Sequence, residues 1–267
     1  MRKIDIEEYK KIVVNVLAQI DRICRENNLE YFLAYGTLIG AIRHNGFIPW
    51  DDDIDIIMMR DNYNKLREII CNGDYDIRFI DITTNPDTIY PYGKICDKHT
   101  HLKEKNFVQV KDYGAFVDVF PFDYLPEDEE KRRELNKKYR KMEKIVVHSS
   151  RTGYNKTGNT ITDLKRFFSF HIFRHFNTSK LVKKMDDAFT ELSKVKTNRV
   201  GVPWGSGNVS YPESYFKNPV EHIFEDKMFY IPEKYDEILT VQYGNYMEPP
   251  PENKRIYSHS LECYIDE

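Results

Sequence analysis

Trp50-Asp-Asp-Asp-Ile-Asp-Ile-Ile-Met-Met59 joins a run of acids to a run of apolar residues. The apolar half is typical of a buried strand, and the acidic half is typical of the loop that enters it. Side chains at positions i and i+2 of a strand share one face. The pattern therefore projects Asp53 and Asp55 together from one face of this strand, while Ile54 and Ile56 face the core.

Paired carboxylates at a buried strand end need a positive partner, because like charges repel when they are held close together. A hard cation with oxygen ligands, Mg²⁺ or Mn²⁺, fits this requirement. We therefore predict that Asp53 and Asp55 bind a metal. Asp51 and Asp52 belong to the same acidic run, and we interpret them as solvated loop residues.

Gly36-Thr37 lies upstream, between a short apolar run and a helical turn. A glycine there lets a phosphate approach the backbone, and the N-terminus of the following helix offers free N–H groups to an anion. This pattern predicts a phosphate-binding role for Gly36 and Thr37. A plain turn is the alternative, because the same pattern is common without a ligand.

Asp118 stands alone in the apolar segment Phe116-Val-Asp-Val-Phe120. A charge inside such a strand must be paired, coordinated or neutralised. One interpretation is a structural ion pair. The other is a third carboxylate beside Asp53 and Asp55, which shares the metal and accepts a proton from an attacking hydroxyl.

The order of these elements resembles the nucleotidyltransferase superfamily, and three longer stretches resemble the LicD family more specifically. These are Tyr35–Ile57, Gly114–Asp123 and the tail Tyr243–Arg255. The likeness covers both ends of the chain and fades over residues 127–211. Bacterial phosphocholine transferases belong to this family, and fukutin-related proteins are more distantly similar.

The resemblance implies both a fold and a reaction. The fold is α+β, a nucleotidyltransferase-like mixed sheet flanked by helices with a further helical region. The donor is CDP-choline or another CDP-linked group, such as a polyol phosphate. The acceptor is a hydroxyl of a glycan or lipid-linked glycan, of the teichoic acid or lipopolysaccharide type, and CMP leaves. Asp53 and Asp55 then hold the metal, and Asp118 completes the site as ligand and general base.

Five basic residues are further candidates for nucleotide or phosphate contacts. Arg43 follows Gly-Thr by about two helical turns and can form a forked contact with phosphate. His44 either joins it or caps the helix. Lys94, in a strand-like run, is either a water-facing edge residue or a phosphate contact. Arg255 and His259 lie in the family-like tail and either close over the nucleotide or remain solvated.

A choline headgroup needs aromatic side chains around its quaternary ammonium. Aromatic residues make up 14% of the chain, so the sequence can supply them. We single out Trp204, Tyr211 and Tyr215 as candidates.

Composition and patterning set the wider frame. We divide the chain into a catalytic core (1–126), a helical region (127–196) and a loop-rich segment that completes the site (197–267), as one compact unit. A net charge of −3 gives no case for nucleic acid as a partner. Four scattered cysteines, a charged start and no long apolar run predict a cytoplasmic enzyme.

Three local features are also predicted. Asp61 is predicted to cap a helix, Phe107–Val110 to form a strand, and Pro249 to begin a tail.

Residues 160–176 read as a helix that is both basic and aromatic. Packing against the core with a basic solvent face is one interpretation. The other is an interfacial helix that brings the enzyme to the inner face of the cell membrane, where a lipid-linked acceptor would lie.

Two other functions remain open. A metal-dependent glycosyltransferase also uses Asp-x-Asp at a strand end, although Gly36-Thr37 and Asp118 are superfluous for it. A non-catalytic glycan-binding protein on a decayed transferase fold is the second alternative. The presence of all three acids argues against it.

Overall fold

The computed structural model describes residues 1–154, 157–204, 210–255 and 261–266. The helices are α1 (Ile6–Glu26), α2 (Tyr35–His44), α3 (Arg60–Asn72), α4 (Glu129–Ser149), α5 (Thr160–Phe173), α6 (Thr178–Ser193) and α7 (Tyr235–Tyr243). The strands are β1 (Arg2–Lys3), β2 (Phe32–Leu33), β3 (Asp55–Met59), β4 (Ile77–Ile80), β5 (Gly93–Asp97), β6 (Thr100–Glu104), β7 (Phe116–Tyr124), β8 (Arg199–Gly201), β9 (Tyr211–Pro212), β10 (Pro219–Phe224), β11 (Lys227–Pro232) and β12 (Leu261–Ile265). The predicted α+β class is confirmed.

The central sheet has the strand order β2-β3-β7-β5-β4, and β8 continues it beyond the end of β7. Strands β3 and β7 run parallel, whereas the neighbouring pairs run antiparallel. The sheet is therefore mixed, as predicted. This order places β7 between β3 and β5, although β5 precedes β7 in the chain.

The two faces of this sheet carry different residues because side chains alternate along each strand. Ile56 and Val119 lie on the face that joins the main hydrophobic core with α1. Helix α1 begins after Asp5, which caps it: the Asp5 carboxylate accepts a hydrogen bond from Glu8 N–H at 2.8 Å. The opposite face carries Asp55 and Asp118.

Two local predictions are wrong. Asp61 does not cap α3, because β3 runs directly into the helix and Met59 occupies the cap position. Residues 107–110 do not form a strand. Phe107 makes only an isolated bridge to Arg151, and the strand of this region is β6, which the sequence pattern did not indicate.

The C-terminal segment is more ordered than a tail. Strand β12 is the middle strand of a second sheet, β1-β12-β6. The carbonyl of Cys263 accepts a hydrogen bond from Ile4 N–H at 3.0 Å, and the Cys263 side chain is buried. This strand joins the two ends of the described chain.

Helices α4, α5 and α6 form a layer beside the central sheet. Tyr139 of α4 and Phe189 of α6 pack with Trp204 in a separate hydrophobic cluster. Arg60 and Asp123 form a buried two-point ion pair, with both N–O distances at 2.7 Å. The pair joins the start of α3 to the end of β7. It also anchors α6, because Arg60 contacts Asp186.

No residue of α5 is fully buried, and its half-buried inner face packs on α4 rather than on the main core. Its inner face meets α4, where the rings of Phe173 and His148 stack at 5.2 Å. In the part of the chain that the structure describes, no helix is both long enough and apolar enough to cross a membrane.

Candidate active site

The acidic run forms a compact group. Carboxylate oxygens of Asp51, Asp52 and Asp53 lie within 4.8 Å of one another. Asp52 is only 4% exposed, so its interpretation as a solvated loop residue is wrong. The loop that carries these acids folds back along α2, where Gly46 N–H donates to the Gly40 carbonyl. This fold-back buries Asp52 and leaves Asp51 and Asp53 partly exposed.

A second group of charges crosses the sheet in one row. Asp55 and Asp118 are direct partners in the parallel pair of β3 and β7. Lys94 is the direct partner of Asp118 in the antiparallel pair of β7 and β5. Neighbouring strands lie about 4.8 Å apart. The row Lys94–Asp118–Asp55 therefore brings two predicted site carboxylates and one predicted basic residue together.

Lys94 is buried in the interior of the sheet, so the alternative of a water-facing edge residue is wrong. Its Nζ donates to Asp118 Oδ1 at 2.6 Å and lies 3.4 Å from the centroid of the Phe116 ring. The structural ion pair of Asp118 is confirmed, and Asp118 also lies beside Asp55. Its role as metal ligand and base stays a prediction.

The surroundings of Asp55 disfavour its charged form. Burial, followed by the charges of Asp53 and Asp118, raises the pKa of Asp55 well above its usual range. All the carboxylates in this region offer oxygen ligands, which is the donor set that Mg²⁺ prefers. A divalent cation fits this site because its charge would offset the repulsion.

The N-terminus of α2 lies against the acids. An added Cβ on Gly36 would stand 2.6 Å from Oδ2 of Asp51. The Asp51 carboxylate therefore occupies space next to the helix N-terminus, where an anion is stabilised. Thr37 Oγ1 accepts a hydrogen bond from Asp55 N–H at 2.8 Å. Thr37 thus fixes the start of β3 and with it the position of Asp55.

Arg43 and His44 lie at the other end of α2. They are seven and eight residues beyond Gly36, which corresponds to roughly 10–12 Å along the helix. Arg43 Nη1 donates to the carbonyl of Tyr246 at 2.7 Å, and its Nε donates to His44 Nε2 at 2.9 Å. Arg43 and His44 therefore connect the front of the chain to the family-like tail.

Arg255 joins the same end of α2. Its guanidinium lies 5.2 Å from the centroid of the Trp50 ring, next to the acidic run. Burial, and then the nearby charge of Arg255, lowers the pKa of Arg43. Arg43 and Arg255 thus form a basic pair, of which Arg255 lies over Trp50, the residue that precedes the acidic run. The remaining candidate, His259, lies outside the described residues.

Three half-buried aromatic side chains border the row of charges. The ring of Phe120 lies 4.4 Å from that of Tyr92 and 5.1 Å from that of Tyr35. Burial and then the charge of Asp118 raise the pKa of Tyr92, and burial and then Asp55 raise that of Tyr35. We call Tyr35, Tyr92 and Phe120 the aromatic patch.

The aromatic patch was not among the sequence candidates. The sequence candidates lie in the two clusters that border it. Trp204 belongs to the cluster on which Tyr92 and Phe120 pack, and Tyr211 and Tyr215 lie in the cluster on which Tyr35 and Phe120 pack. A signal for the patch existed in part, because Phe120 follows Asp118 by two residues and therefore shares its face. Its contact with Tyr92 depends on strand order, which the local pattern does not contain.

Comparison with known proteins points to the family that the sequence motifs resemble. Residues 28–152 match the model of the LicD/FKTN/FKRP nucleotidyltransferase domain. The chain contains a LicD-family nucleotidyltransferase domain. It is 29% identical to the lipopolysaccharide cholinephosphotransferase LicD of Haemophilus influenzae, over 99% of this chain and 100% of that protein. It also matches an uncharacterised protein of Rickettsia prowazekii, with 47% identity over 17% of each chain.

The family resemblance read from the sequence is thereby confirmed. The LicD domain contains Gly36, the acidic run, Lys94 and Asp118, which the fold brings to one region. Arg255 and α5 lie beyond the matched residues. The similarity to the Haemophilus protein, however, extends over these parts as well.

Proposed function

We propose that this LicD-type transferase moves phosphocholine from CDP-choline to a hydroxyl of a cell-surface glycan precursor and releases CMP. The observation that carries the proposal is the row Lys94–Asp118–Asp55 beside the acidic run, inside a LicD domain. The relative that matches over its whole length is a lipopolysaccharide cholinephosphotransferase. A lipopolysaccharide-type or teichoic acid-type acceptor follows from the same family relationship.

The reaction replaces the phosphoanhydride bond of the donor with a phosphate ester to the acceptor. The acceptor hydroxyl oxygen bonds to the phosphorus that carries choline, and the bond from this phosphorus to the CMP oxygen breaks. Asp118 accepts the proton of the hydroxyl and later releases it to water. Lys94 holds the Asp118 carboxylate in place through their 2.6 Å contact.

Asp53, Asp55 and Asp118 would hold Mg²⁺ or Mn²⁺, which supplies positive charge to the diphosphate when bound. The basic pair of Arg43 and Arg255 adds a second source of attraction for the nucleotide phosphates. Gly36 leaves room at the N-terminus of α2, so that Asp51 and a phosphate oxygen can both approach the backbone.

The aromatic patch favours a choline headgroup over a polyol. A quaternary ammonium is attracted to ring faces by about 0.5–2 kcal/mol, whereas a neutral polyol lacks this attraction. The patch lies on the same sheet face as Asp118, because Phe120 follows it by two residues. It can therefore contact the group attached to the reacting phosphorus.

The proposal is tested by measuring CMP release from CDP-choline, with CDP-glycerol and a UDP-sugar as competing donors, with and without Mg²⁺. We expect Mg²⁺-dependent release from CDP-choline and a loss of at least about a hundredfold in Asp53→Asn, because a metal stabilises transition-state charge by several kcal/mol. Asp74→Asn is the matched control, since Asp74 is an exposed acid outside the site. Release of UDP from the UDP-sugar, with no CMP from CDP-choline, would indicate a glycosyltransferase and contradict the proposal.

Choline recognition is tested with Tyr92→Leu. We expect KM for CDP-choline to rise about two- to thirtyfold, which is the equivalent of a lost cation–π contact, while KM for CDP-glycerol changes little. Tyr75→Leu is the control, because Tyr75 is also half-buried but packs at the edge of the main core. An equal increase for both donors would mean that Tyr92 has only a structural role.

A further inference from the structure

Helix α5 exposes a continuous apolar stripe on its outer face. Ile161 is 69% exposed, Phe168 54% and Ile172 58%, and Leu164 and Phe176 are exposed as well. Spacings of three and four residues place Ile161, Leu164, Phe168 and Ile172 on one side of the helix. Single exposed apolar residues are normal on a protein surface, whereas a continuous stripe marks an interaction site.

The stripe is separate from the face that holds α5 to the protein. On the inner face, Phe173 stacks on His148, and Ser169 Oγ lies 3.3 Å from His148 Nδ1. Phe170 also faces inward, with its ring 5.9 Å from that of Tyr154. The helix thus has one apolar side for its fold and a second apolar side that faces outward.

Positive charge gathers beside the stripe. A cavity of about 250 Å³ lies between α5 and the end of α4, and its lining includes Arg151, Lys165 and Arg166. Among the described residues that line it, none is an acid. Nε of Arg151 is buried without a hydrogen-bond partner. Burial, and then the charges of Arg151 and Lys144, lowers the pKa of His148, which also lines the cavity.

The acid of this helix makes its hydrogen bonds at the start of α5, although it also lies near Arg166. Asp163 accepts hydrogen bonds from Thr157 N–H at 2.7 Å and from Thr157 Oγ1 at 2.8 Å. Its charge is therefore used at the start of α5. The outward side combines apolar residues with flanking cations, including Lys165 and Arg174.

We propose that the outer face of α5 docks on a lipid surface that contains anionic headgroups. Apolar side chains of such a helix insert at the level of the headgroups, and basic side chains beside them contact lipid phosphates. The positive side chains beside the stripe complement an anionic surface. The basic cavity between α5 and α4 can accept a headgroup phosphate. This docking is independent of the transfer reaction.

Docking would also bring the LicD domain to the lipid. Helix α5 packs on α4, and Tyr139 of α4 belongs to the cluster against which Tyr92 and Phe120 of the aromatic patch pack. A short chain of contacts therefore joins the lipid-facing helix to the row of site residues.

The test is co-sedimentation of the full chain with vesicles of phosphatidylcholine alone and with vesicles that also contain phosphatidylglycerol. We expect the wild type to pellet with the anionic vesicles, and Phe168→Glu/Ile172→Glu to lose this binding. Val195→Glu/Met228→Glu is the matched control, because these apolar residues are exposed on other elements. Lys165→Ala/Arg166→Ala should weaken binding to anionic vesicles more than Lys180→Ala/Lys184→Ala, which changes exposed lysines of α6.

Two further measurements keep the outcomes distinct. Asp53→Asn should bind vesicles like the wild type, so a failure of transfer activity and a failure of docking are separable. Thermal unfolding of every variant checks that the exposed substitutions leave the fold intact. Equal pelleting of the wild type and Phe168→Glu/Ile172→Glu overturns the proposal. A dimer that depends on the stripe, without vesicle binding, also overturns it and assigns the face to a second copy of the chain.

Discussion

At Asp55, the stability of the fold and the proposed function make opposite demands. Its N–H is fixed by Thr37, and its carboxylate lies beside those of Asp53 and Asp118. In the absence of a metal, the folded state therefore holds a proton on Asp55 to a higher pH than the unfolded chain does. Because the folded state then binds more protons, stability falls as pH rises above the unfolded value of about 3.9.

Asp55→Asn should therefore stabilise the metal-free protein at neutral pH while abolishing transfer. A gain of 1 kcal/mol corresponds to roughly 2–4 °C in Tm for a chain of this size. Thermal unfolding between pH 5 and 8 is the measurement, and the gain over wild type should grow with pH. Mg²⁺ should raise the Tm of the wild type but not that of the variant. A variant less stable than wild type at every pH would show that the carboxylate is already neutralised by a partner.

The residues of the site were predictable where the signal was local. Asp53 and Asp55 do lie close enough to interact, as predicted, although Asp53 precedes β3 and strand alternation is not the reason. An acid in an apolar strand singled out Asp118. The contact of Lys94 with Asp118 joins residues 24 positions apart and depends on β7 lying between β3 and β5. The residue pattern of a single strand does not indicate which strands will lie next to it in the sheet. Asp52 was misjudged because its burial results from the loop folding back on α2.

Helix α2 shows how one element can serve both the site and the fold through two glycines. An added Cβ on Gly36 would meet the flexible carboxylate of Asp51, whereas one on Gly40 would collide with the backbone carbonyl of Gly46. Both glycines are inside the helix, where alanine is otherwise more favourable by about 0.5–1 kcal/mol. A substitution at Gly36 therefore tests the displacement of an acid, whereas one at Gly40 tests the disruption of packing.

We expect Gly36→Ala to lower kcat with Mg²⁺ while Tm stays the same or rises slightly, because only the Asp51 side chain must move. Gly40→Ala should instead destabilise the fold by about 1–3 kcal/mol, because the backbone of the loop must shift. Activity assays and denaturant unfolding of both variants make the comparison. Equal losses of stability would show that Asp51 is as firmly fixed as the loop backbone.

Strand β12 shows the limit of sequence patterns at the level of elements. It has only five residues, too few for a pattern to distinguish a strand from a tail, and its partners β1 and β6 lie more than 150 residues away in the chain. Helices α1, α4 and α6 were predictable because their apolar stripes are long and periodic. The class of the fold followed from these elements, whereas the second sheet required contacts between distant segments.

At the scale of the whole molecule, one buried ion network joins the LicD domain to the helical layer. Asp123 of β7 is completely buried and binds Arg60 at two points, while Ser193 Oγ donates to it at 2.6 Å. Arg60 reaches Asp186 at 2.8 Å. Helix α3, strand β7 and helix α6 are thus held by charges that water does not screen.

Removing one partner of such a network costs more than the pair contributes, because the remaining charge stays buried without compensation. Asp123→Asn should therefore lower the free energy of unfolding by about 3–5 kcal/mol, as measured in denaturant. Asp187→Asn, which breaks the exposed pair with Lys183, should have no measurable effect. The double variant Arg60→Met/Asp123→Leu should recover part of the loss, since it leaves no unpaired charge between these two residues. If the single and double variants are equally unstable, packing rather than charge compensation joins the helical layer to the sheet, and the site near Tyr92 and Phe120 depends on that packing instead.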